Sequence, residues 1–279
     1  MNTTPATTPD ALLREAGNAI GRAEATLLLA HASGRSATWL LAHGDAALPR
    51  TTCEDFAALV RRRIEGVPVA YLVGHKAFWT LHLKVTPDTL VPRPETERLV
   101  ELALDKLPPE RAARVLDLGT GSGAIALAIA TERPLARVLA TDASAAALAV
   151  ARANARTHAI GNVDFVHGNW LAAVTGQRFD LIVSNPPYVA AGDPHLARGD
   201  LRFEPLTALA SGQDGLRDLA QIIGDAPSHL LPGAWLLLEH GWDQGAAVRA
   251  LLALAGFQQT STAADLEHRD RVSLGRVPC

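Results

Sequence analysis

The fold is decided by residues 114–130, which read RVLDLGTGSGAIALAIA. A short apolar strand ending at Leu118 is followed by a glycine-rich turn from Gly119 to Gly123 and then by an alanine-rich helix. The glycines permit a tight turn and allow a ligand to lie against bare backbone at the start of that helix. The stretch therefore predicts a ligand site at the end of a strand in an α/β domain.

Two kinds of ligand fit this turn. Because Ala124 can stand for the third glycine, the turn also matches the dinucleotide fingerprint, and Asp142 follows at the distance of a ribose-binding carboxylate. Asp117 argues against a pyrophosphate, because a carboxylate beside the turn repels phosphate and attracts a cation. S-adenosylmethionine carries an ammonium and a sulfonium and no phosphate. Asp117 and Asp142 therefore favour that cofactor over a dinucleotide.

A second apolar strand, residues 179–184, runs directly into Asn185-Pro186-Pro187-Tyr188. The two prolines remove two backbone donors and hold the chain extended, which leaves nearby carbonyls free to accept hydrogen bonds from an NH2 group. Asn185 adds a side-chain carbonyl at the strand's carboxyl end, and Tyr188 adds an aromatic wall. Alone, the tetrapeptide is also explained as a rigid turn. Combined with the glycine turn and its two aspartates, it predicts a methyltransferase.

Composition excludes several classes of protein. The chain has 279 residues, of which 48% are hydrophobic and 20% charged, so it has room for one large domain and one small one. A net charge of −3 is not that of a protein that binds nucleic acid mainly through phosphates. The local run Arg61-Arg62-Arg63 fits a binding patch as well, but a solvated helix face is favoured. Two cysteines far apart in the sequence predict no disulfide framework, and ten histidines without a paired ligand spacing predict no metal site.

Targeting signals are not apparent in the sequence. Met1 to Pro5 lacks a basic segment followed by an apolar core, and no apolar run approaches membrane-spanning length. We therefore expect a cytoplasmic protein that does not bind a membrane.

The pattern of apolar residues predicts three parts. Residues 10 to about 70 predict short helices at 10–16, 22–32, 38–43 and 52–65, the last with a capping box formed by Thr51 and Glu54. Apolar and polar residues alternate from Trp79 to Thr86 and predict one arm of a two-stranded ribbon. We expect a helical domain at 1–75, a β-hairpin linker at 76–92 and a catalytic domain at 93–279.

The third part alternates strands with helices, which predicts a doubly wound α/β domain with an added strand pair. The long polar connection from Val189 to Gln213 is expected to be a lid or a substrate-binding loop. After an initial helix from about residue 93, we expect strands at 114–118, 137–141, 163–167, 179–184, 234–239, 257–262 and 271–276, and helices at 124–132, 144–157, 215–230 and 243–255.

With these residues in place, the chain resembles the HemK/PrmC-type protein-(glutamine-N5) methyltransferases over nearly its whole length. The glycine turn is shared by many methyltransferases and Asn-Pro-Pro-Tyr by several, including adenine-N6 DNA enzymes, so these two blocks identify chemistry rather than substrate. The block Pro92-Arg93-Pro94-Glu95-Thr96-Glu97 resembles the release-factor enzymes, whereas their relatives acting on a ribosomal protein usually carry Ser-Pro after the arginine. The other shared blocks are 68–74, 78–79, 90–91, 202–206 with 208–209, 238–241 and 271–276.

The resemblance implies a class I S-adenosylmethionine-dependent methyltransferase, with a Rossmann-like sheet and a small N-terminal helical domain that docks the substrate. The implied substrate is the glutamine of the Gly-Gly-Gln motif in class-1 peptide chain release factors, with no stable binding of nucleic acid. The chain departs from the family's pattern at residues 73–76, so no role is carried onto His75 or Lys76.

The family also implies the site residues. Asn185, Pro186 and Tyr188 are the expected catalytic residues, and together with Pro187 they are expected to bind the substrate. Besides Asp117 and Asn185, the expected cofactor contacts are Gly119, Thr120, Gly121, Ser122, Gly123, Asp142, Asn169 and Trp170.

Several interpretations stay open at the level of sequence. Trp170 fits a core aromatic as well as a pocket wall, and Glu95, Thr96 and Glu97 either brace the site or begin a helix. For the whole chain, the alternatives are methylation of a ribosomal-protein glutamine, adenine-N6 methylation of nucleic acid, and a binding module without catalysis.

Overall fold

A computed structural model describes residues 7–279, and the chain divides into two compact units, Met1–Gly74 and His75–Cys279. The segment Met1 to Pro5, for which the sequence predicts no secretion signal, lies outside the described residues.

The first unit is helical. Its core is formed by apolar side chains that recur at helical spacing, such as Leu12, Leu28, Leu40 and Phe56. Gly34, at φ 64°, ends the second helix in the left-handed conformation that glycine adopts most readily. Within residues 7–74 the helices are α1 (Pro9–Ile20), α2 (Arg22–Ser33), α3 (Ala37–Ala42), α4 (Arg50–Ile64) and α5 (Val69–Val73).

The capping box expected at Thr51 and Glu54 is wrong. Helix α4 already begins at Arg50, after Pro49, so Thr51 lies inside the helix and makes no cap. Glu54 instead accepts a hydrogen bond from Arg50 Nε at 2.7 Å, a pair four residues apart on one helix face.

The arginine run at the end of α4 is only partly a solvated face. Arg61 and Arg62 are exposed, but Arg63 donates to Glu24 of α2 through Nε at 2.6 Å and Nη2 at 3.0 Å. Arg63 therefore ties α4 to α2, a role that spacing within one helix does not reveal.

The second unit begins with an antiparallel hairpin, β1 (His75–Phe78) and β2 (Leu81–Lys84). The predicted alternation holds from Leu81 onward, where Leu81 and Leu83 are buried and the residues after each are exposed. It fails at Trp79, which lies in the turn at φ 54° rather than in a strand.

A seven-stranded sheet forms the centre of this unit, which confirms the predicted Rossmann-like fold class. The strand order is β5-β4-β3-β6-β7-β9-β8, in which β9 pairs antiparallel with both β7 and β8 and the other adjacent strands pair in parallel. The strands are β3 (Arg114–Leu118), β4 (Arg137–Asp142), β5 (Val163–His167), β6 (Phe179–Ser184), β7 (Leu230–Glu239), β8 (Gln258–Ala264) and β9 (Asp270–Arg276).

Helices cover both faces of the sheet. Successive residues of a strand point to opposite faces, so Val115 belongs to one apolar cluster and Leu116 to the other. The first cluster includes side chains of α6 and α7, and the second includes side chains of α9 and α10. The helices are α6 (Glu97–Lys106), α7 (Ala124–Glu132), α8 (Ala145–Thr157), α9 (Arg217–Asp225) and α10 (Gly245–Leu254).

The helix expected at 215–230 is shorter than the pattern indicated. Helix α9 ends at Asp225, and Pro227 lies in a following 3₁₀ turn, Ala226–His229. Proline has no backbone N–H to continue an α-helix, so the chain changes conformation before it. Strand β7 then starts at Leu230, four residues before the expected strand at 234.

Candidate active site

The predicted site residues come together because three parallel strands end at the same level. Leu118 of β3 is paired with Thr141 of β4 on one side and with Ser184 of β6 on the other. The next residue along each strand is therefore Gly119, Asp142 or Asn185. Strand order reverses at β3, and open α/β sheets bind ligands at such a switch point.

A cavity of about 390 Å³ opens at this edge of the sheet. Seven of the predicted site residues line it: Gly119, Gly121, Asp142, Asn169, Trp170, Asn185 and Pro187. Its wall also includes residues that sequence reasoning did not assign, among them Pro87, Asp88, Thr89, Leu90, Pro205, Thr207 and Ala208. Leu90 and the 205–208 segment lie in blocks shared with the family, whereas Pro87 to Thr89 carried no signal at all.

Asp142 organises the glycine turn. Its Oδ2 accepts a hydrogen bond from the Gly121 N–H at 2.8 Å, and its Oδ1 accepts one from the Ser144 N–H at 2.8 Å. A carboxylate has about four lone-pair sites, so both oxygens keep capacity for hydroxyl donors from the cavity. The residue thus fits a ribose-binding role while it also holds the turn.

Trp170 is both a cavity wall and a packed aromatic, so the two interpretations of this residue are compatible. A Cβ on Gly119 would lie 3.1 Å from its ring, which shows how closely the ring covers the glycine turn. The indole Nε1–H donates to Asp218 Oδ1 at 3.3 Å, and Asp218 Oδ2 accepts from the Ser211 hydroxyl at 2.5 Å.

The other residues of the turn do not reach the cavity wall. Thr120 and Ser122 are buried, and the Thr120 hydroxyl donates to Asp117 Oδ2 at 2.6 Å. The Gly123 N–H bonds to the Thr120 carbonyl at 2.8 Å, and Gly123 has φ 88° immediately before α7. These residues shape the turn from behind rather than offering side chains to a ligand.

Asp117 is fully buried and does not line the cavity either. Burial raises the pKa of its carboxyl to about 7, against the opposing influence of the Thr120 hydroxyl and the Ala126 backbone N–H. Its Oδ1 has no partner that meets hydrogen-bond geometry. A buried carboxylate with an unsatisfied oxygen, directly behind a glycine turn, suits a cationic ligand at the cavity and not a pyrophosphate.

We expect Asp117→Asn to stabilise the protein at about pH 8, by up to about 4 kcal/mol. Folding raises the pKa of Asp117 from 3.8 to about 7, so the folded protein opposes ionisation that the unfolded chain allows. That destabilisation is complete above about pH 7 and absent below about pH 4. The advantage of the variant in urea denaturation should therefore shrink as pH falls between these values.

The same variant should bind S-adenosylmethionine more weakly than wild type at about pH 8, because the negative charge is lost. Glu239, whose pKa is also raised to about 7, is present in both proteins, so its contribution to the pH dependence of stability cancels in the difference between them. A stability difference that did not vary with pH, or an unchanged affinity, would contradict the role assigned to Asp117.

Asn185 presents its carbonyl, and not its NH2, to the cavity. Its Nδ2 donates to the Thr96 hydroxyl oxygen at 3.1 Å, which occupies the amide's donor side. Thr96 is buried in a 3₁₀ turn, Pro94–Thr96, directly before α6. Of the two interpretations of residues 95–97, Thr96 braces the site, whereas Glu97 begins the helix.

The remainder of the tetrapeptide is firmly held. Pro187 lines the cavity, but Pro186 and the Tyr188 side chain are not among its lining residues. The Tyr188 hydroxyl donates to Glu239 Oε1 at 3.3 Å, and burial raises the pKa of that hydroxyl, which keeps it a neutral donor. The Tyr188 carbonyl accepts from Gln244 Nε2 at 3.0 Å.

The long connection after Tyr188 is tied back to the site at two places. Val189 N–H donates to the Leu209 carbonyl at 2.9 Å, and the Ser211 N–H donates to the Val189 carbonyl at 2.9 Å. Within the connection, buried Glu204 forms an ion pair with Arg93 and accepts from the Val91 N–H at 3.0 Å. These contacts bring two of the family blocks together at the cavity, where Pro205, Thr207 and Ala208 form part of its wall.

Gly215→Ala is expected to lower kcat at least tenfold, because a Cβ there would overlap the Tyr188 carbonyl oxygen and lie 2.7 Å from Gln244 Nε2. Gly176→Ala is the matched control, since Gly176 has the same φ of +76° but no atom within 4 Å of the added Cβ. Both variants bear the backbone cost of about 1–2 kcal/mol. Steady-state kinetics should show the loss in Gly215→Ala alone, and equal kcat values in the two variants would refute this explanation.

Two features are absent from the part of the chain that the structure describes. Residues 7–279 contain no group of three or more His, Cys, Asp or Glu side chains arranged to hold a metal ion. Within the same residues, every helix is too short or too polar to cross a membrane.

Comparison with known proteins identifies relatives that match nearly the whole chain. The PrmC N-terminal domain family matches residues 10–74, and the Methyltransferase small domain family matches residues 97–199. A release factor glutamine methyltransferase of Xylella fastidiosa Temecula1 is 58% identical over 97% of this chain and 98% of its own length. That of Escherichia coli K12 is 48% identical over 91% of this chain and 92% of its own.

Among solved structures, a methyltransferase from Pyrococcus furiosus is similar with a TM-score of 0.55 and 19% identity, over 78% of this chain and 98% of that chain. Similarity at this level of identity shows the fold alone.

Proposed function

The chain belongs to the release factor glutamine methyltransferase family, and from this premise we propose how its site methylates a glutamine side chain. The protein transfers a methyl group from S-adenosylmethionine to the amide nitrogen, N5, of the glutamine in the Gly-Gly-Gln motif of class-1 release factors. The observation that carries the proposal is the orientation of Asn185, whose NH2 is taken by Thr96 so that its carbonyl is left to accept from a substrate NH2.

S-adenosylmethionine, when bound, supplies an electrophilic methyl group on a positively charged sulfur. The chain offers it the bare backbone of Gly119 and Gly121, the Asp142 carboxylate for the ribose hydroxyls, and Asn169 with Trp170 for the adenine. Asp117 is buried behind the turn and adds negative charge there above its pKa of about 7. The donor set thus fits a cationic nucleoside better than a phosphate-bearing cofactor.

The chemical difficulty lies in the nucleophile. An amide nitrogen is a poor nucleophile because its lone pair is delocalised into the carbonyl. We propose that Asn185 Oδ1 and the Pro186 backbone carbonyl each accept one N–H of the glutamine, fix the plane of its NH2 group and stabilise positive charge as it develops on nitrogen. The Tyr188 side chain, which bonds Glu239 and does not line the cavity, holds the tetrapeptide in place. Water takes the proton after transfer, so no strong general base is required beforehand.

The long connection at 189–213 and the helical unit at 1–75 are proposed to recognise the protein substrate. The connection supplies part of the cavity wall, and the helical unit exposes the large apolar side chains Leu27, Leu41 and Ile64. A fragment comprising His75–Cys279 should bind S-adenosylmethionine but methylate an intact release factor poorly. If the fragment matched the full chain on the intact factor, the helical unit would have no docking role.

A competition assay tests the proposed substrate class. With S-adenosylmethionine carrying a labelled methyl group, the chain is incubated with a class-1 release factor, ribosomal proteins, DNA and RNA in one mixture. Label should enter the release factor, and the cytoplasm is the compartment this substrate implies. Label in nucleic acid would favour adenine-N6 methylation, and label in a ribosomal protein would favour the related enzyme class.

A further inference from the structure

A buried carboxylate lies behind the substrate-binding tetrapeptide. Glu239, the last residue of β7, is 1% exposed and does not line the cavity. Its Oε1 accepts from the Tyr188 hydroxyl at 3.3 Å, and its Oε2 has no partner that meets hydrogen-bond geometry. Burying an ionised carboxylate costs free energy of folding unless hydrogen bonds or an opposite charge compensate for the lost hydration.

The Thr96 hydroxyl bonds Asn185 and lies near Glu239. Thr96 Oγ1 accepts from Asn185 Nδ2 at 3.1 Å, and the same hydroxyl is close enough to Glu239, whose Oε2 is unpartnered, to lower the pKa of that carboxyl. A hydroxyl has a single proton to donate. While its oxygen accepts from Asn185, its proton is therefore free to point at the carboxylate.

An ionised carboxylate fixes the direction of this chain of hydrogen bonds, because it can only accept. The neighbouring hydroxyls of Thr96 and Tyr188 can then bond the carboxylate only as donors. With its proton committed to Glu239, Thr96 can only accept from Asn185, and the Asn185 amide is held with NH2 towards Thr96 and carbonyl towards the cavity.

We propose that Glu239 is a positioning residue that, through the Thr96 hydroxyl, keeps the Asn185 carbonyl facing the substrate NH2. The inference rests on the proposed function, in which that carbonyl accepts from glutamine. A protonated or amidated residue 239 can donate to Thr96, whose proton is then free to bond the Asn185 carbonyl. The Asn185 amide would then flip, and its NH2 group would face the NH2 group of the substrate, from which it cannot accept a hydrogen bond.

The electrostatic surroundings of Glu239 place the change in its protonation near neutral pH. Burial raises the pKa of Glu239 to about 7, and Glu95 adds to the rise. Thr96, the Tyr188 hydroxyl and the positive charge of Arg271 oppose it. Arg271 is itself held by Asp265 at 3.2 Å and by the His240 carbonyl at 3.2 Å, so its charge is fixed beside the carboxylate.

Steady-state kinetics at saturating S-adenosylmethionine test the proposal on the full chain. Wild-type kcat should rise with pH through about 7, whereas Glu239→Gln should give a kcat about 10- to 100-fold lower that no longer varies there. Thr96→Val should lose kcat similarly, while Thr96→Ser, which keeps the hydroxyl, should restore it. The Asp117 carboxyl, whose pKa is also raised to about 7, is unchanged in Glu239→Gln, so a kcat that still rose through pH 7 in that variant would assign the titration to Asp117 and overturn the proposal.

A second readout does not depend on turnover. The side-chain amide resonances of Asn185, identified by their loss in Asn185→Ala, should shift through about pH 7 in the wild type and stay constant in Glu239→Gln. A Glu239→Gln variant with the wild-type pH profile of kcat, or one whose Asn185 amide still titrated, would overturn the proposal. So would equal activity of Thr96→Val and Thr96→Ser.

The two hypotheses fail in distinguishable ways. A wild-type chain that methylates no release factor refutes the proposed function, and the Asn185 resonances still decide whether Glu239 controls the amide.

Discussion

Asn185→Ala is expected to lower kcat about 10²–10³-fold, or roughly 3–4 kcal/mol, while leaving the affinity for S-adenosylmethionine largely intact. The variant removes the one side-chain carbonyl that is held at the end of β6 with its donor side already occupied by Thr96. A preorganised acceptor acts mainly as charge develops on the substrate nitrogen, so the loss should fall on kcat and not on cofactor binding. Steady-state kinetics with a release factor, together with calorimetry of cofactor binding, separate the two effects.

Asn185→Asp is the matched variant. Its carboxylate still accepts from the substrate NH2, but it adds a full charge and can no longer donate to Thr96. If acceptance of a hydrogen bond is the essential role, the Asp variant should retain more activity than the Ala variant. If both variants kept a turnover near that of the wild type, Asn185-Pro186-Pro187-Tyr188 would have only the structural role of a rigid turn, and the proposed mechanism would be refuted.

Asp142→Ala is expected to weaken binding of S-adenosylmethionine at least tenfold. Hydrogen bonds to a charged acceptor contribute about 1.5–3 kcal/mol each, and about 1.4 kcal/mol corresponds to a tenfold change in affinity. The variant also frees the Gly121 and Ser144 N–H groups, both of which Asp142 holds at 2.8 Å, so the turn itself should loosen.

Asp142→Asn separates the two contributions, because it keeps one carbonyl acceptor and loses the charge and the second acceptor. Calorimetry should rank wild type first, Asn second and Ala last. An unchanged affinity in Asp142→Ala would remove the assignment of this residue to the ribose.

The centre of the site was predictable because it is built from local patterns that parallel strands bring into register. The strand at 114–118, its glycine turn, Asp142 at the end of β4 and Asn185 just after β6 are all placed by one rule, that ligands bind at the carboxyl edge of such a sheet. The fold class was predictable from the alternation of strand and helix patterns along the chain, and the seven-stranded sheet confirms it.

What the sequence did not reveal depends on contacts between distant segments. Thr96 meets Asn185 across 89 positions, and Glu204 reaches Arg93 across 111. Neither pair leaves a periodic trace in the chain, and the approach of Pro87 to Thr89 to the cavity is likewise a product of tertiary packing. Asp117 was correctly placed beside the turn, but only the structure shows it buried and behind the cavity wall.

The most direct test of the central claim is peptide-level mass spectrometry of a class-1 release factor after incubation with this protein and S-adenosylmethionine. The account predicts a single added methyl group on the glutamine of the Gly-Gly-Gln motif, and none on a factor whose motif glutamine is replaced by alanine. A methyl group on any other residue, or an unmodified factor with an enzyme that binds S-adenosylmethionine, would contradict it.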